Sequence, residues 1–567
     1  MFFRITLYLS LIISGLGTAY KVLSWFRCRI GDQARDLSPG KRVSAALWGI
    51  GFTLFSRRIL DLIKSGLLEV LLLRRLFHEG FSRWFMHLCL AYGFLSLLLL
   101  HALDRFITQK LFPGYFPTLQ PFLFLRNFFG ALVLVGLAIA VYRRLFDRVM
   151  RQTTRGSDIY AIVVLALIVL SGFFLEAAKI VSHQRFQEMV VEYSTVQEGK
   201  EAQALRAYWA KEFAVVFPNP GAFKDPDLIA QGKEVHLMNC ASCHSQPAGA
   251  FVSYGLAKAI TPLALGLTRA DLSRFLWHLH FLVCFLGLAL LPFTKFFHIL
   301  TSPLVLLING VMDRAQAFPA NIATVRAIEL DACTHCALCS EHCSVRPIYR
   351  LIPNPTILPS EKLEAFRAIA QGKKTTPQDL AHFQEGASIC TGCYRGTQFC
   401  PVGIVAQELW FCMREDLQHL GCPDLFIQTR EAHVSRFDRD RTKALIPFSP
   451  QGKRFRNQVL LSLQGSSFYS CFECVTCTNS CPVVVNYQNP IEKLGLLPHQ
   501  IMHSLKFGLQ ERTLGAGMVW DCLGCYNCQE NCPQGIRVTD ILFELKNIAF
   551  QRLKEGQPGW TSPEEKP

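Results

Sequence analysis

No Gly-x-Gly-x-x-Gly fingerprint follows a strand-like run in this chain, and no Walker loop is present. Their absence argues against an ordinary dinucleotide enzyme and against a P-loop NTPase. No Ser, His and Asp fall in an order that suggests a hydrolase triad. Charge is sparse as well: 18% of the 567 residues are charged, with 43 acids against 58 Lys and Arg. The net charge of +15 does not indicate nucleic acid, because the cations lie beside apolar runs, as membrane-topology signals do. Half of the chain is apolar, and its mean hydropathy is positive, which does not suit a soluble enzyme. The apolar residues concentrate in the first 310 positions and the 22 cysteines mostly beyond 330. Small secreted disulfide scaffolds space their cysteines irregularly, whereas these fall largely into tight C-x-x-C groups, the pattern of metal ligation.

Crossing a bilayer takes about 20 apolar residues. Five runs qualify, at about 5–24, 84–103, 122–142, 159–178 and 276–293. The first lacks a strongly basic start and a small-residue cleavage site, so it is read as a span and not as a signal peptide. A shorter run at 45–56 is expected at the interface. Segment 21–83 carries twelve Lys and Arg and 143–155 carries five, Arg148 among them, whereas 104–120 has only Arg105 and Lys110. The positive-inside rule then places the N-terminus outside and the C-terminus inside an inner, cytoplasmic membrane, with segment 179–274 outside.

Metal-binding side chains within spans are functional candidates. His87 and His101 stand 14 residues apart in span two. On a straight helix they share a face to within roughly 40° and lie about 21 Å apart. His280 and His298 stand 18 residues apart in span five, which is about five turns and about 27 Å, a figure that a kink at Pro292 between them would alter. The two spans run antiparallel. His101 is therefore expected to face His280 near the outside, and His87 to face His298 near the inside. His278 in place of His280, and His78 in place of His87, stay open. Single histidines often bond neighbouring helices, but four at matched spacing suit two stacked haems.

The stretches "RRLFHEGFSRWFMHLCLAYGFLSLLLLHALD", "LRNFFGALVLVGLAIAVYRR", "DIYAIVVLALIVLSGFFLEAAKI" and "LPFTKFFHILTSPL" resemble the cytochrome b family that includes nitrate reductase gamma and the membrane cytochrome b of heterodisulfide reductase. The membrane component of the sulfite-reduction-associated complex is similar too. The resemblance covers residues 1–180 and 270–310. It implies a five-helix, quinone-reactive protein with two bis-histidine haems b.

A departure from that family is the insert "GKEVHLMNCASCHSQPAG", with Cys240, Cys243 and His244 in the C-x-x-C-H order that attaches haem c. Its sixth ligand is open among His183, Met189, His236 and none, and a Cys240–Cys243 disulfide is the alternative reading.

Four cysteine runs follow: Cys333, Cys336, Cys339, Cys343; Cys390, Cys393, Cys400; Cys471, Cys474, Cys477, Cys481; and Cys522, Cys525, Cys528, Cys532. Runs one, three and four have ferredoxin spacing, which zinc sites rarely share. In two-cluster ferredoxins the last Cys of each run serves the other cluster. The expected sets are then Cys333, Cys336, Cys339 with Cys400; Cys471, Cys474, Cys477 with Cys532; and Cys522, Cys525, Cys528 with Cys481. The fourth set, Cys390, Cys393 and Cys343, is one ligand short, because Gly396 stands at the third position of its run. A 3Fe–4S cluster is the reading taken; another ligand, or no cluster, stays open. Helix-like sequence between the runs, such as "PSEKLEAFRAIAQG" and "QIMHSLKFGLQERTLG", resembles the helical ferredoxin domain of two families over 325–410 and 465–550. These are the ferredoxin-like iron–sulfur subunits of heterodisulfide reductase and the iron–sulfur subunits of succinate dehydrogenase. The catalytic subunit of heterodisulfide reductase has paired cysteines, and no Cys-Cys pair occurs here. Cys412 and Cys422 fall outside the pattern and read as inert thiols.

The expected fold is all-α: a transmembrane bundle formed by 1–178 and 275–310, the cytochrome c insert 179–274, and two tandem helical ferredoxin domains. The expected cofactors are two haems b, one haem c, three 4Fe–4S clusters, one 3Fe–4S cluster and a quinone, whose protons Glu176 or Asp104 would take. The expected role is a membrane electron-transfer subunit of a respiratory complex, without a soluble-substrate site of its own. A cytoplasmic dehydrogenase or flavoprotein would dock on the ferredoxin pair. The rivals are a quinone-independent conduit to a periplasmic cytochrome, and a redox sensor.

Overall fold

A computed structural model describes residues 1–147, 150–151, 154–196, 198–219, 223, 225–349, 351–373, 375–422, 424–434 and 450–554. Arg148 lies outside them. Among the described residues the regular elements are helical, with a single isolated bridge between Ser182 and Val216. The chain forms two compact units, Met1–Thr376 with Cys390–Glu415, and Pro377–Ile389 with Asp416–Pro567. The helix Pro377–Ile389 thus groups with the second unit although it lies within the expected 325–410 domain.

The first unit begins with the apolar helix α1 (Phe2–Arg27) and the shorter α2 (Pro39–Leu54). Span two is α3 (Phe81–Leu97), prolonged by a π-helical turn, Leu98–Ala102. Then come α4 (Phe122–Phe146) and α5 (Gly156–Val181). The insert adds α6 (Lys200–Glu212), α7 (Pro226–Asn239) and α8 (Phe251–Ile260). Span five is α9 (Leu272–Ala289), followed after a break by α10 (His298–Val311), and α11 (Pro319–Ala332) leads into the first cysteine run. Val133, Leu137, Val169 and Phe173 form the buried seam of the bundle, packed against Leu90, Phe94 and Leu97 of α3. Close packing of α3 on α4 needs Gly93, since a Cβ there would sit 2.7 Å from Val133 Cγ2. Leu9, Leu16 and Tyr20 of α1 point outward, as side chains facing lipid do.

Among the described residues six helical segments, not five, are long and apolar enough to cross a membrane; the extra one is Phe251–Arg269. It is broken by a 3-10 turn at Thr261–Leu263. Ser253, near its start, bonds Asn127 and Glu176, and Asp271, just past its end, pairs with Arg185. Both ends therefore lie at the insert-bearing end of the bundle, so this segment folds back instead of crossing. The kink expected at Pro292 in span five is a full break. The α-helix ends at Ala289, and Thr294 is extended between two 3-10 turns. Pro292 lies in the first of these turns, where its missing N–H and ring end the α-helix.

The ferredoxin-bearing end is bolted to the bundle by buried polar groups. Arg42, 1% exposed, donates to the Trp25 and Cys28 carbonyls at 2.6 and 2.5 Å and to Thr324 Oγ1 at 3.1 Å. Asp331 accepts from Trp25 Nε1 at 2.9 Å and pairs with Lys21 at 3.0 Å. Replacing Arg42 would strand two carbonyls, at about 1–3 kcal/mol each. Arg42→Met should lower the melting temperature of the detergent-solubilised protein clearly, whereas Arg29→Met, at an exposed position, should barely move it. Equal melting temperatures for the two variants would refute this account of the joint.

Candidate functional site

His87 and His298 face each other with ring centres 6.1 Å apart, and His101 and His280 likewise at 6.1 Å. Imidazoles binding one metal from opposite sides need bonds of about 2 Å each, with each ring centre about 1 Å beyond its nitrogen, hence a separation near 6 Å. The donor set and spacing therefore fit bis-histidine iron. Two of the far nitrogens meet acceptors, as ligating histidines require, whereas the neighbour of His101 is a guanidinium, which can only donate. His298 Nδ1 lies 2.6 Å from the Lys295 carbonyl, His280 Nδ1 lies 3.0 Å from Ser171 Oγ, and Arg126 Nη2 lies 3.3 Å from His101 Nδ1. Gly172 leaves room for His280, since a Cβ there would come within 3.2 Å of its Cε1. The two open alternatives sit elsewhere: His278 stands against Trp277 and Phe281, and His78 lines a surface pocket with Arg74, Arg75 and Glu79. Sequence periodicity could reach the four histidines, but not Ser171 or Arg126, which meet them only through the fold; Lys295 meets His298 locally, three positions earlier.

In the insert, α6 and α7 enclose an aromatic core of Phe186, Tyr208, Trp209, Phe213 and Phe217. The end of α7 turns so that Cys243 N and His244 N both donate to the Cys240 carbonyl, at 3.1 and 2.9 Å. One turn thus gathers both thiols and the imidazole. Burial pushes the Cys240 thiol up to about 11. His236 is buried, and its Nδ1 accepts from Trp209 Nε1 at 3.2 Å. Burial, then the neighbouring His244, push it down to about 4, so it is neutral at physiological pH. Of the other sixth-ligand candidates, Met189 packs against the aromatic core and His183 stands 6.5 Å from the Phe217 ring. The motif docks on the loop before α4: Thr118 Oγ1 donates to the Cys243 carbonyl, and Ser245 N to the Thr118 carbonyl at 3.0 Å.

The structure gathers the cysteines in the interleaved sets. Cys339 lies beside Cys333, Cys336 and Cys400, and Cys343 beside Cys390 and Cys393. In the second unit, Cys471, Cys474, Cys477 and Cys532 line one cavity, while Cys522 and Cys528 lie with Cys481 and Cys525. Burial and, after it, adjacent thiols push Cys400 and Cys477 to about 12. Such crowded thiols bind protons or metal, and metal releases the protons. Each run folds alike around its second cysteine. The residues before and after it are left-handed: His335 and Ala337, Gly392 and Tyr394, Glu473 and Val475, Gly524 and Tyr526. Left-handed non-glycine residues cost about 1–2 kcal/mol each, so their repetition reflects the ligand geometry. Ile404 N and Ile536 N donate to Cys400 and Cys532 Sγ at 3.4 and 3.3 Å, again alike.

Glu176 and Asp104 differ sharply. Glu176 Oε2 accepts from Asn127 Nδ2 at 2.8 Å and Ser253 Oγ at 2.6 Å, with Arg126 4.0 Å from Oε1. Asp104 Oδ1 accepts from Arg105 N at 2.7 Å, within its own turn.

A family of 4Fe-4S dicluster domains matches residues 329–404 and 467–536, and the nitrate reductase gamma subunit family matches residues 118–198. The iron–sulfur subunit of CoB–CoM heterodisulfide reductase from Methanopyrus kandleri is 30% identical over 98 residues, 17% of this chain and 45% of that protein. A subunit of ferredoxin:CoB-CoM heterodisulfide reductase from Methanosarcina mazei is 34% identical over 93 residues, 16% of this chain and 53% of that protein. EtfAB:quinone oxidoreductase from Syntrophomonas wolfei is 23% identical over 383 residues, 62% of this chain and 45% of that protein. The chain spans about half the length of these relatives. No solved structure matches it. The chain thus joins a nitrate reductase gamma-type membrane segment to two ferredoxin segments homologous to the iron–sulfur subunits of heterodisulfide reductases.

Proposed function

We propose that the chain carries electrons between iron–sulfur clusters on the cytoplasmic side, two haems b in the bundle, a haem c on the periplasmic side and the quinone pool. Haems and clusters are one-electron carriers and need no soluble-substrate site beside them. One observation supports this reading: within the first unit, candidate ligand sets lie next to the histidine pairs at both ends of the bundle. Cys343, Cys390 and Cys393 adjoin the Cys333 set through the shared first run. Lys295 links that set to the bundle, being near Cys336 through its ammonium and 2.6 Å from His298 through its carbonyl. At the other end Arg126 reaches His101 and donates to the Pro117 carbonyl at 3.1 Å, next to Thr118, which bonds Cys243.

The Lys and Arg of 21–83 support placing the ferredoxin end in the cytoplasm. The quinone reading draws support from the Syntrophomonas relative, a quinone oxidoreductase. At the insert end, Glu176, which shares Arg126 with His101, is the stronger candidate to take quinol protons, with Asp104, likewise half-buried, the alternative. A dehydrogenase or flavoprotein is the proposed cytoplasmic partner. The insert at the His101 end of the bundle favours one second reading, delivery to a periplasmic cytochrome without quinone.

Mixing the oxidised protein with a quinol analogue in a stopped-flow instrument should reduce the b-type haem absorbance, and a quinone-site inhibitor should block it. Reduction by a c-type cytochrome alone, with no response to quinol, would favour the second reading. The interleaved ligand sets are checked by substitution. Cys532→Ser should perturb the EPR signal of the centre held by Cys471, Cys474 and Cys477, and Cys481→Ser that of the other centre of the second unit. Perturbation in the reverse order would break the assignment.

A further inference from the structure

Lys362 is among the largest side chains wholly removed from solvent, with 1% of its surface exposed. A buried ammonium is costly unless an anion meets it. Among the described residues no carboxylate pairs with Lys362. Its Nζ lies 5.1 Å from the centre of the Trp410 ring and within electrostatic reach of Cys390 and Cys343. A cation over an indole recovers only part of the cost of burial. The missing anion lies on the side of the cysteines.

The second ferredoxin segment supplies an internal comparison. In both segments the first helix of more than five residues after the first cysteine run opens on a proline, Pro359 or Pro498. The hydroxyl contact between Ser340 and Ser360, 2.8 Å, is matched by Thr478 to His499 at 2.7 Å. In this register Lys362 corresponds to Ile501, which is fully buried, and Gly396 to Cys528. One segment thus has a fourth thiolate and an isoleucine where the other has no thiolate and a cation. Both changes act at the same centre and in the same electrical direction.

The three-cysteine run has not relaxed into an ordinary loop. Gly392 and Tyr394 keep φ values of 64° and 65°, close to those of the three complete runs. Nor does packing demand the glycine, because a Cβ at Gly396 would meet nothing nearer than Ala406 Cβ at 3.5 Å and Trp410 Nε1 at 3.9 Å.

We infer that Cys343, Cys390 and Cys393 hold a three-cysteine iron–sulfur centre whose built-in countercation is Lys362, and that this pairing raises the centre's midpoint potential. The inference rests on the reading of the cysteine sets as cluster sites. Three thiolates leave such a centre anionic when oxidised and more so by one charge when reduced. A fixed cation in a medium of low dielectric favours the more anionic form. Lys362 therefore acts as a positioning charge that touches no substrate.

Potentiometric EPR on the full-length protein in detergent tests this, together with iron and acid-labile sulfide counts. The wild type should show a three-iron signal when oxidised. K362M should shift the midpoint of that centre downward and leave the Cys333 centre unmoved, and K362R should keep the wild-type midpoint. Loss of this centre alone in K362M, with K362R retaining it, supports the countercation equally. G396C probes the site without touching Lys362: the three-iron signal should give way to a four-iron signal seen on reduction, with one more iron bound. An unmoved midpoint in K362M, loss of the centre in both Lys362 variants, or an unchanged three-iron signal in G396C would overturn the inference. A wild type with iron for three clusters and no three-iron signal would also overturn it, while leaving the proposed electron path standing.

Discussion

Two imidazoles held about 6 Å apart across a lipid-embedded bundle are the constraint on which the membrane half depends. Neither His87 nor His101 can choose its partner alone. Each needs an opposing element whose backbone delivers a ring at the right depth, and a hydrogen bond that fixes how the ring is turned. The break between α9 and α10 meets this need. It divides span five into two pieces that are aimed separately, so that His280 and His298 reach different partners without sharing one helical face. On the opposing side the π-turn Leu98–Ala102 carries His101, and such a turn widens the helix where the ring must be placed.

How much of this is legible in the sequence depends on the range of the interaction. Histidine spacing and antiparallel spans are local arithmetic, and they are enough to name the facing pairs. The same arithmetic assumes a regular turn, which fails at Leu98–Ala102, and it reads Pro292 as a kink where the helix breaks altogether. Apolar run length reads as five spans. It cannot reveal that Phe251–Arg269 doubles back, because that outcome rests on Ser253 meeting Glu176, 77 positions away in the chain. Cysteine spacing is the most readable signal, since ligand geometry imposes a repeat whatever the surrounding core. Lys362 is unreadable for the opposite reason. A lysine in an amphipathic helix reads as a solvated residue until the fold buries it beside thiols.

The two ferredoxin segments share a backbone and differ in their charges. Their left-handed turns, helix-opening prolines and amide contacts to the last cysteine agree nearly residue for residue. Such agreement leaves side-chain exchanges at a few positions as the means by which related sites are given different electrical surroundings. The second segment surrounds its thiols with an apolar core of Ile501, Met502, Leu542 and Leu545. The first places an ammonium within its own core.

The insert is stapled at both of its edges, by Thr118 and Ser245 around the Cys243 turn and by Ser253 through Asn127 and Glu176. Anchored in this way, it has no swivel. A redox domain on a loose tether can ferry charge by rotating between two docking positions, and this insert is instead fixed to its scaffold. In the proposed role a partner would have to come to it, and the rate of exchange at this end would be governed by encounter in solution and not by the swing of an arm.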